Sequence, residues 1–298
     1  MLIALPAMAG AQSAGAELLR MNADARTTSM GGNIFGESEN MLVYGNPTSI
    51  YNGERKLNVS ACFRGYNEQI IKDQRYYAVG ASYRLGRHAA HIGYRRLGGL
   101  EVSYIDVLPV KPVDYSFDLG YSYKINKHFS AAATVSYIES KIVEKADTYA
   151  FGASAFYRTN FGSHTKLTAG LGLGNIGGEL EYKTMSDSPK AELPSYYGLG
   201  GELSTQIADG HDAAVSLGYR HIDGSNDTSA NLLSIGAEYT MFHTASWRVG
   251  YMHAGNDNDL LTCGATVRLS KFQAGFSYID GIGDNPMDSY MITIGFNL

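Results

Sequence analysis

The chain of 298 residues lacks the features that mark several common protein classes. No run of 18 apolar residues occurs, so the sequence predicts no transmembrane helix. Aspartate and glutamate (29) outnumber lysine and arginine (24), and the net charge of −5 argues against a general nucleic-acid-binding protein. Only two cysteines are present, Cys62 and Cys263. Neither follows a lipobox, so we expect no lipid anchor. Alternation of apolar and polar residues places Cys62 on an inner strand face and Cys263 on an outer one, so we expect no disulfide between them.

Catalytic and metal-binding patterns are also missing. The sequence contains no G-x-S-x-G elbow and no H-E-x-x-H motif. The glycine-rich stretch 170–174 lies on a predicted strand and lacks the helix that a dinucleotide site needs. The eight histidines are scattered, which predicts no metal site. The polar stretches 223–227 and 256–259 could hold calcium, although turn chemistry explains them as well. We therefore predict a protein that is not an enzyme and has no cofactor.

What the chain does have is strict alternation of apolar and polar residues, with 35 glycines and 22 tyrosines. The last ten residues show it most clearly, because one face of a strand there receives Tyr290, Ile292, Ile294, Phe296 and Leu298. The other face receives Ser289, Thr293, Gly295 and Asn297, with Met291 as the exception. Period-two alternation over about ten residues, repeated along a chain, is typical of a transmembrane β-barrel.

Fourteen alternating segments can be counted after residue 55. They lie near residues 56–66, 75–85, 88–97, 113–125, 128–139, 147–159, 163–175, 193–206, 210–221, 230–241, 243–253, 259–269, 271–280 and 288–298. Connections after odd-numbered segments are long and those after even-numbered segments are tight, as in outer-membrane barrels. We predict an all-β fold, a 14-stranded antiparallel transmembrane β-barrel over residues 56–298, crossing the outer membrane of a Gram-negative bacterium with its tight turns in the periplasm.

The two faces of these segments differ in charge. No charged residue falls in the middle of a strand on the predicted lipid face, where a lysine or arginine would cost about 2–4 kcal/mol. Tyrosines and phenylalanines cluster at both ends of that face, like the girdles of a lipid-embedded barrel. The alternative is a soluble all-β protein. The predicted inward face carries the charged residues Arg64, Arg84, Arg95, Asp118, Arg158, Glu202, Arg220, Glu238, Arg248 and Arg268.

These inward charges have two interpretations. They could line a pore or attract anions, or they could form ion pairs with one another and with Glu37 and Glu39. We favour ion pairing, because a polar lumen that holds a plug must supply the plug with partners.

The residues before the first strand divide into two parts. Residues 1–12 resemble a secretory signal, with an apolar core and the small-residue pattern Ala9-Gly10-Ala11. Residues 13–55 do not alternate, and turn signals occur at Met30-Gly31-Gly32 and around Asn46-Pro47. A barrel of fourteen strands is roughly 28 Å wide, too wide for its own side chains to fill. We predict that 13–55 folds into the lumen as a plug; the alternative is a disordered periplasmic tail.

A family resemblance begins in this plug segment. The stretch Ala25-Arg26-Thr27-Thr28-Ser29-Met30-Gly31-Gly32, followed by Tyr44-Gly45-Asn46-Pro47, resembles the N-terminal signature of the PorV/PorQ family. Residues 116–123, 128–130, 137–141, 174–177 and 193–194 resemble later parts of the same family in the same order. The resemblance implies the fourteen-stranded fold of the FadL fatty-acid transporters. It also implies a role in type IX secretion, delivering or anchoring exported proteins.

Two functional hypotheses follow. The leading one is a non-enzymatic subunit of a protein secretion or outer-membrane assembly complex, with protein partners and outer-membrane lipid around it but no nucleic acid. The competing one is a FadL-like channel for small hydrophobic molecules. A channel of that kind needs a lateral gap in the wall, and a kink at Gly198, Gly200 and Gly201 could supply it.

Overall fold

The barrel strands form where the alternation predicts them. The computed structural model describes residues 16–66, 73–99, 110–142, 144–183, 190–223, 229–255, 259–282 and 288–298, so the signal-like segment lies outside the described residues. The strands are β1 (Leu57–Tyr66), β2 (Arg75–Leu85), β3 (His88–Gly98), β4 (Val113–Lys124), β5 (Phe129–Lys141), β6 (Lys145–Phe161), β7 (Thr165–Gly177), β8 (Leu180–Glu181), β9 (Lys190–Ala191), β10 (Tyr196–Ala208), β11 (His211–Ile222), β12 (Ala230–Met241), β13 (Ala245–His253), β14 (Leu260–Leu269), β15 (Phe272–Gly281) and β16 (Ser289–Asn297).

Within the described residues, fourteen of these strands close into an antiparallel barrel in the order β1-β16-β15-β14-β13-β12-β11-β10-β7-β6-β5-β4-β3-β2. The predicted fold class is therefore confirmed. The short strands β8 and β9, which were not predicted, form a separate two-stranded sheet. A seam between β1 and β16 closes the cylinder, with Val59 opposite Phe296 and Phe63 opposite Ile292. Beyond it, the amides of Lys56 and Leu57 both donate to the carbonyl of Leu298, at 2.6 and 2.8 Å.

Burial alternates along the strands with the same period as the sequence. Outward apolar side chains such as Leu119 (60% exposed), Trp247 (59%) and Ile92 (56%) are open to the surroundings. Inward neighbours such as Ser122 and Ser216 are buried. An apolar belt around a closed cylinder is what a barrel wall presents to lipid, since a soluble protein does not expose so large an apolar surface.

The interior is occupied by residues 16–55, named here the N-terminal segment. Its regular parts are short: 3₁₀ turns at Glu17–Arg20, Leu42–Tyr44 and Pro47–Tyr51, and one helical turn, α1 (Ala25–Ser29). Asp24 caps α1 by accepting from the amide of Thr27 at 3.4 Å. Most residues of the segment are buried, and α1 lies against the inner faces of β13–β16. No helix of the described residues is long and apolar enough to span a bilayer.

Candidate functional site: the filled lumen

Arg26 of α1 binds two carboxylates on the barrel wall. Its Nη1 and Nη2 donate to the Glu202 carboxylate of β10 at 2.9 and 2.8 Å. Its Nε and Nη2 donate to Glu238 of β12 at 3.2 and 3.0 Å. The remaining bond, from Nη1 to the carbonyl of Glu37, measures 2.6 Å. All five guanidinium donors are thereby used, on a side chain that is 6% exposed.

At Glu39 the charges are reversed: the carboxylate belongs to the N-terminal segment and the two arginines that bind it belong to the barrel wall. The Glu39 carboxylate is bound by Arg248 of β13 at 3.1 Å and by Arg268 of β14. Arg248 also bonds Glu238, which joins this cluster to the one around Arg26. Three cations thus face three carboxylates: Arg26, Arg248 and Arg268 against Glu39, Glu202 and Glu238. The charges balance locally, as a water-poor site requires.

Glu37 makes a second connection, to the strands β7 and β6, which follow β10 around the barrel. Its carboxylate accepts from Arg158 of β6 at 2.8 and 3.2 Å and contacts the Lys166 Nζ of β7 at 2.9 Å. The Thr168 hydroxyl donates to it at 2.6 Å. Burial would raise the pKa of Glu37, but Arg158 and Lys166 hold it well below its usual range. The carboxylate is therefore ionised at neutral pH.

Tyr44 makes the third connection, to β3 and β4. Its hydroxyl donates to the Asp118 carboxylate at 2.8 Å, and Arg95 lies over its ring at 4.3 Å. Arg95 and Asp118 form a buried ion pair at 3.1 Å. The N-terminal segment is thus bonded to strands all around the cylinder.

Glycines let the backbone of the segment touch the backbone of the wall. Gly31 has φ +76°, and its amide donates to Thr262 Oγ1 at 3.3 Å. A Cβ placed on Gly236 would lie 2.6 Å from the Met30 carbonyl oxygen, and one on Gly250 would meet the Gly31 amide. Side chains at these wall positions would displace the turn Met30-Gly31-Gly32.

The other predicted plug residues brace the segment itself or pack on the wall. Asn46 caps the Pro47–Tyr51 turn by accepting from the Thr48 amide at 3.0 Å, and its Nδ2 donates to the Gly36 carbonyl at 2.8 Å. Pro47 occupies the first position of that turn, where its missing N–H costs nothing. Ala25 lies against β15, 3.3 Å from where a Cβ on Gly275 would be.

Three of the predicted luminal arginines lie apart from the acidic residues. Arg64 donates to the Ser289 hydroxyl at 2.9 Å. Arg84 bonds the carbonyls of Gly86 and Gly53 at the tight-turn end of the barrel. Arg220 lies 5.7 Å from the ring centre of Tyr196.

The proposed kink at Gly198, Gly200 and Gly201 does not break the wall. The pairing of β10 with both β7 and β11 runs through these residues without a shift. Gly198 and Gly200 make room for the N-terminal segment instead, since their Cβ atoms would lie 2.8 Å from Phe35 Cε2 and 2.6 Å from Asn33 Oδ1. The register shifts elsewhere: at Gln206/Ala208 of β10, and between Phe151 and Ala153 of β6. Opposite the second shift, Asn175 of β7 has φ +56°.

A small cavity of about 80 Å³ lies between the N-terminal segment and the wall beside that second shift. Its apolar side includes Leu19, Ile34, Phe35, Phe156 and Leu173, and its polar side includes Asn22, Arg95, Asp118, Asn175 and Arg220. An apolar cavity of about 150 Å³ holds benzene. The cavity as it stands is therefore too small for an aromatic ring.

The outside of the barrel carries a larger concavity, named here the outer-wall groove. It is a depression of about 1130 Å³ across β1–β4 and β14–β16. Its lining is mainly the outward apolar side chains Val59, Ala61, Val79, Ala81, Ile92, Phe117, Leu119, Val267, Leu269, Phe272, Ala274, Ile294 and Phe296.

The described residues show no metal-binding cluster and no disulfide. They contain no group of three or more histidine, cysteine or acidic side chains placed to hold a metal ion. Cys62 is buried, Cys263 is exposed, and neither forms a disulfide. Most of the polar stretches 223–227 and 256–259 lies outside the described residues.

The sequence interpretation missed two of the residues that hold the segment. Lys166 and Thr168 fall on the inward face by the same alternation that places Leu167 outward, so the pattern could have identified them. Tyr44 stood within the family-like motif, but nothing local indicates its partner on β4.

The fold is shared with solved structures of transport proteins. The chain is similar to the toluene transporter TodX of Pseudomonas putida, with 12% identity over 91% of this chain and 96% of that one and a TM-score of 0.65. It is similar to the toluene transporter TbuX of Ralstonia pickettii, with 12% identity over 92% of this chain and 98% of that one and a TM-score of 0.65. It is also similar to a FadL homologue of Pseudomonas aeruginosa, with 10% identity over 92% of this chain and 98% of that one and a TM-score of 0.54. The FadL-like fold is confirmed.

Comparisons of the sequence itself give no match. No protein-family model and no curated protein sequence matches the chain. Membership of the PorV/PorQ family stays a prediction.

Proposed function

We propose that this protein is a FadL-like channel in the outer membrane of a Gram-negative bacterium that admits small hydrophobic molecules, with the N-terminal segment as its plug. The observation that carries the proposal is the cavity between the segment and the irregular part of the β6–β7 ladder. The likeness to TodX and TbuX, whose names describe toluene transporters, supports it. On this proposal the protein is not an enzyme and needs no cofactor.

The size of the cavity defines how such a channel must work. At about 80 Å³ it cannot hold a ring, so part of the N-terminal segment has to shift during passage. The side of the segment near Ile34 and Phe35 faces the cavity. The ladder beside it is already irregular between Phe151 and Ala153, so this is where we expect the wall to yield.

Two neighbouring alanines test this route. Ala132 of β5 is buried and lines the cavity, whereas Ala133 of the same strand is exposed on the outer face. We expect Ala132→Leu to lower toluene uptake by reconstituted vesicles about tenfold or more, because overfilling a packed site costs about 1–3 kcal/mol. Ala133→Leu should leave uptake unchanged. Equal uptake by the two variants and the wild type would contradict the route.

A second candidate function rests on the closed lumen. The ion pairs of Arg26, Glu37 and Glu39 hold the N-terminal segment to many strands, and a barrel that never opens has no transport role. The segment that makes these bonds carries the PorV/PorQ-like residues. On this proposal the barrel is a subunit of a secretion or outer-membrane assembly complex, type IX secretion being the one that the resemblance implies.

Purification from native membranes in mild detergent distinguishes the two. A subunit should bring stoichiometric protein partners with it and show no uptake of toluene. A channel should be recovered without partners and take up toluene after reconstitution.

A further inference from the structure

Four basic side chains crowd one part of the tight-turn end of the barrel. Arg84 and Arg87 belong to the β2–β3 hairpin, and Lys124 and Lys127 to the neighbouring β4–β5 hairpin. With Gly86 and Asn126 they line a depression of about 380 Å³. The two hairpins are held together because the Lys124 amide donates to the Arg87 carbonyl at 2.8 Å. We call these four residues the basic cluster.

The basic cluster has no acidic counterpart. No acidic side chain lines the depression, and among the described residues none of the four forms an ion pair. Arg84 has only neutral carbonyl acceptors, those of Gly86 and Gly53. The whole chain has a net charge of −5, so the cluster does not follow from overall basicity. Inside the lumen, in contrast, carboxylates pair with Arg26, Arg95, Arg158, Lys166, Arg248 and Arg268.

The strands that end at the basic cluster, β2, β3 and β4, also line the outer-wall groove. Leu119 in the groove precedes Lys124 by five residues on β4, and Ile92 follows Arg87 by five along β3. Five residues of strand span about 17 Å, and less in height once the strand is tilted. One leaflet of hydrocarbon is about 15 Å thick, half of the bilayer core. A lipid with its headgroup at the basic cluster therefore has acyl chains of the length that reaches the groove.

We propose that the basic cluster and the outer-wall groove together bind one anionic phospholipid from the leaflet on the tight-turn side. The phosphate contacts the exposed turn residues Arg87 and Lys127, with Arg84 and Lys124 adding to the positive field behind them. An acyl chain lies in the groove, over the small side chains of Ala61 and Ala81. Clustered cations at a membrane surface favour anionic lipids by roughly fivefold in affinity for each cation. The inference holds whether the barrel transports molecules or belongs to a complex.

Charge reversal tests the headgroup half of the site. We would measure retention of long-chain phosphatidylglycerol and phosphatidylcholine by native mass spectrometry of the detergent-solubilised protein. Wild type should retain phosphatidylglycerol in clear preference, and Arg87→Glu with Lys127→Glu should weaken it by about 25-fold or more. The same charge reversal at the opposite end, Lys141→Glu with Lys145→Glu, is the control; it also breaks the exposed Lys145–Glu139 ion pair, and it should leave lipid retention unchanged. Exchanging the two residues, Arg87→Lys with Lys127→Arg, should keep the binding.

Filling the groove tests the acyl half. Ala81→Phe should weaken retention of long-chain phosphatidylglycerol, whereas Ala237→Phe, on the outer wall away from the groove, should not. Equal retention of the two lipids by wild type would overturn the proposal. So would displacement of the lipid by millimolar inorganic phosphate combined with indifference to Ala81→Phe, because the site would then recognise phosphate alone.

Discussion

At the scale of single residues, the lumen is dominated by charges that have been removed from water and paired. Arg26 is the clearest example, since its five donors hold Glu202, Glu238 and the Glu37 carbonyl. Removing one member of a buried ion pair leaves the other uncompensated, and this costs more than the pair itself contributes.

Replacing Arg26 with glutamine should therefore release the N-terminal segment. We expect a loss of about 3–5 kcal/mol in its binding to the barrel. Limited proteolysis of the detergent-solubilised protein should then cleave within residues 16–55. Adding Glu202→Gln should restore part of the protection, because it removes one of the stranded charges. Arg64→Gln, which loses bonds to the Ser289 hydroxyl of the barrel wall, should behave like wild type.

Asp24 gives the lumen a dependence on pH. Burial, and then the nearby carboxylate of Glu39, raise the pKa of Asp24 from 3.8 to about 6, while Arg248 and Arg26 act in the other direction. Arg55 is a further cation within its field. The folded protein thus holds a proton that the unfolded chain releases. The stability linked to that proton is full below about pH 4 and is lost as the pH rises through about 6.

Asp24→Asn should remove this dependence while keeping the cap of α1. At pH 7.5 we expect its thermal midpoint to exceed that of wild type, by an effect of up to about 3 kcal/mol, and at pH 4.5 the two should nearly coincide. Asp24→Ala, which loses the cap, should be destabilised by about 1 kcal/mol relative to Asp24→Asn at both pH values. A difference in midpoint between Asp24→Asn and wild type that is the same at pH 4.5 and at pH 7.5 would contradict the assignment.

At the scale of elements, strands and segment meet through matched small residues. Gly236 on β12 faces the Met30 backbone, whereas Ala237 beside it faces outward. Gly236→Val should displace the turn Met30-Gly31-Gly32 and cost about 1–3 kcal/mol, seen as faster proteolysis of residues 16–55. Ala237→Val, the same added bulk on the other face, should leave the rate of proteolysis unchanged. Equal rates for the two variants would show that this contact does not hold the segment.

The strands could be predicted from sequence because their signal is local. β15, for example, is Phe272–Gly281 and was expected at 271–280, since alternate side chains face lipid and lumen. The two-residue strands β8 and β9 are too short for any period to show. The expectation of a kink at Gly198–Gly201 was not met, because a glycine that loosens a wall and one that admits a neighbouring segment look alike in sequence.

The lumen was predictable only in outline. Alternation placed Glu202, Glu238 and Arg248 on the inward face, and the non-alternating residues 13–55 were expected among them. Which charge meets which could not be read, because Arg26 and Glu238 are joined by folding across 212 positions of sequence. No periodicity in the N-terminal segment reports on such pairs.

At the scale of the whole molecule, the barrel is a wide cylinder whose interior is filled by its own chain. A fourteen-stranded barrel is roughly 28 Å wide, enough for water and ions once it is emptied. A variant lacking residues 16–54 should therefore conduct ions across a planar bilayer, whereas wild type should hold a closed level. If the shortened chain does not insert, Arg26→Gln in the full-length protein should show intermittent openings. Permanently silent bilayers with both inserted proteins would mean that something other than the segment closes the barrel.

The seam between β1 and β16 sets the order in which the molecule can be made. The barrel strand that is synthesised last, β16, must pair with β1, which is synthesised first. Gly275 of β15 and Gly295 of β16 also lie against Ala25 and Asn40 of the N-terminal segment. Before β16 pairs with β1, the sheet has two edge strands with unpaired backbone groups, and the lumen is not closed. Deletion of β16 should therefore impair closure of the barrel and expose its edge strands to aggregation far more than a deletion of similar size in a surface loop.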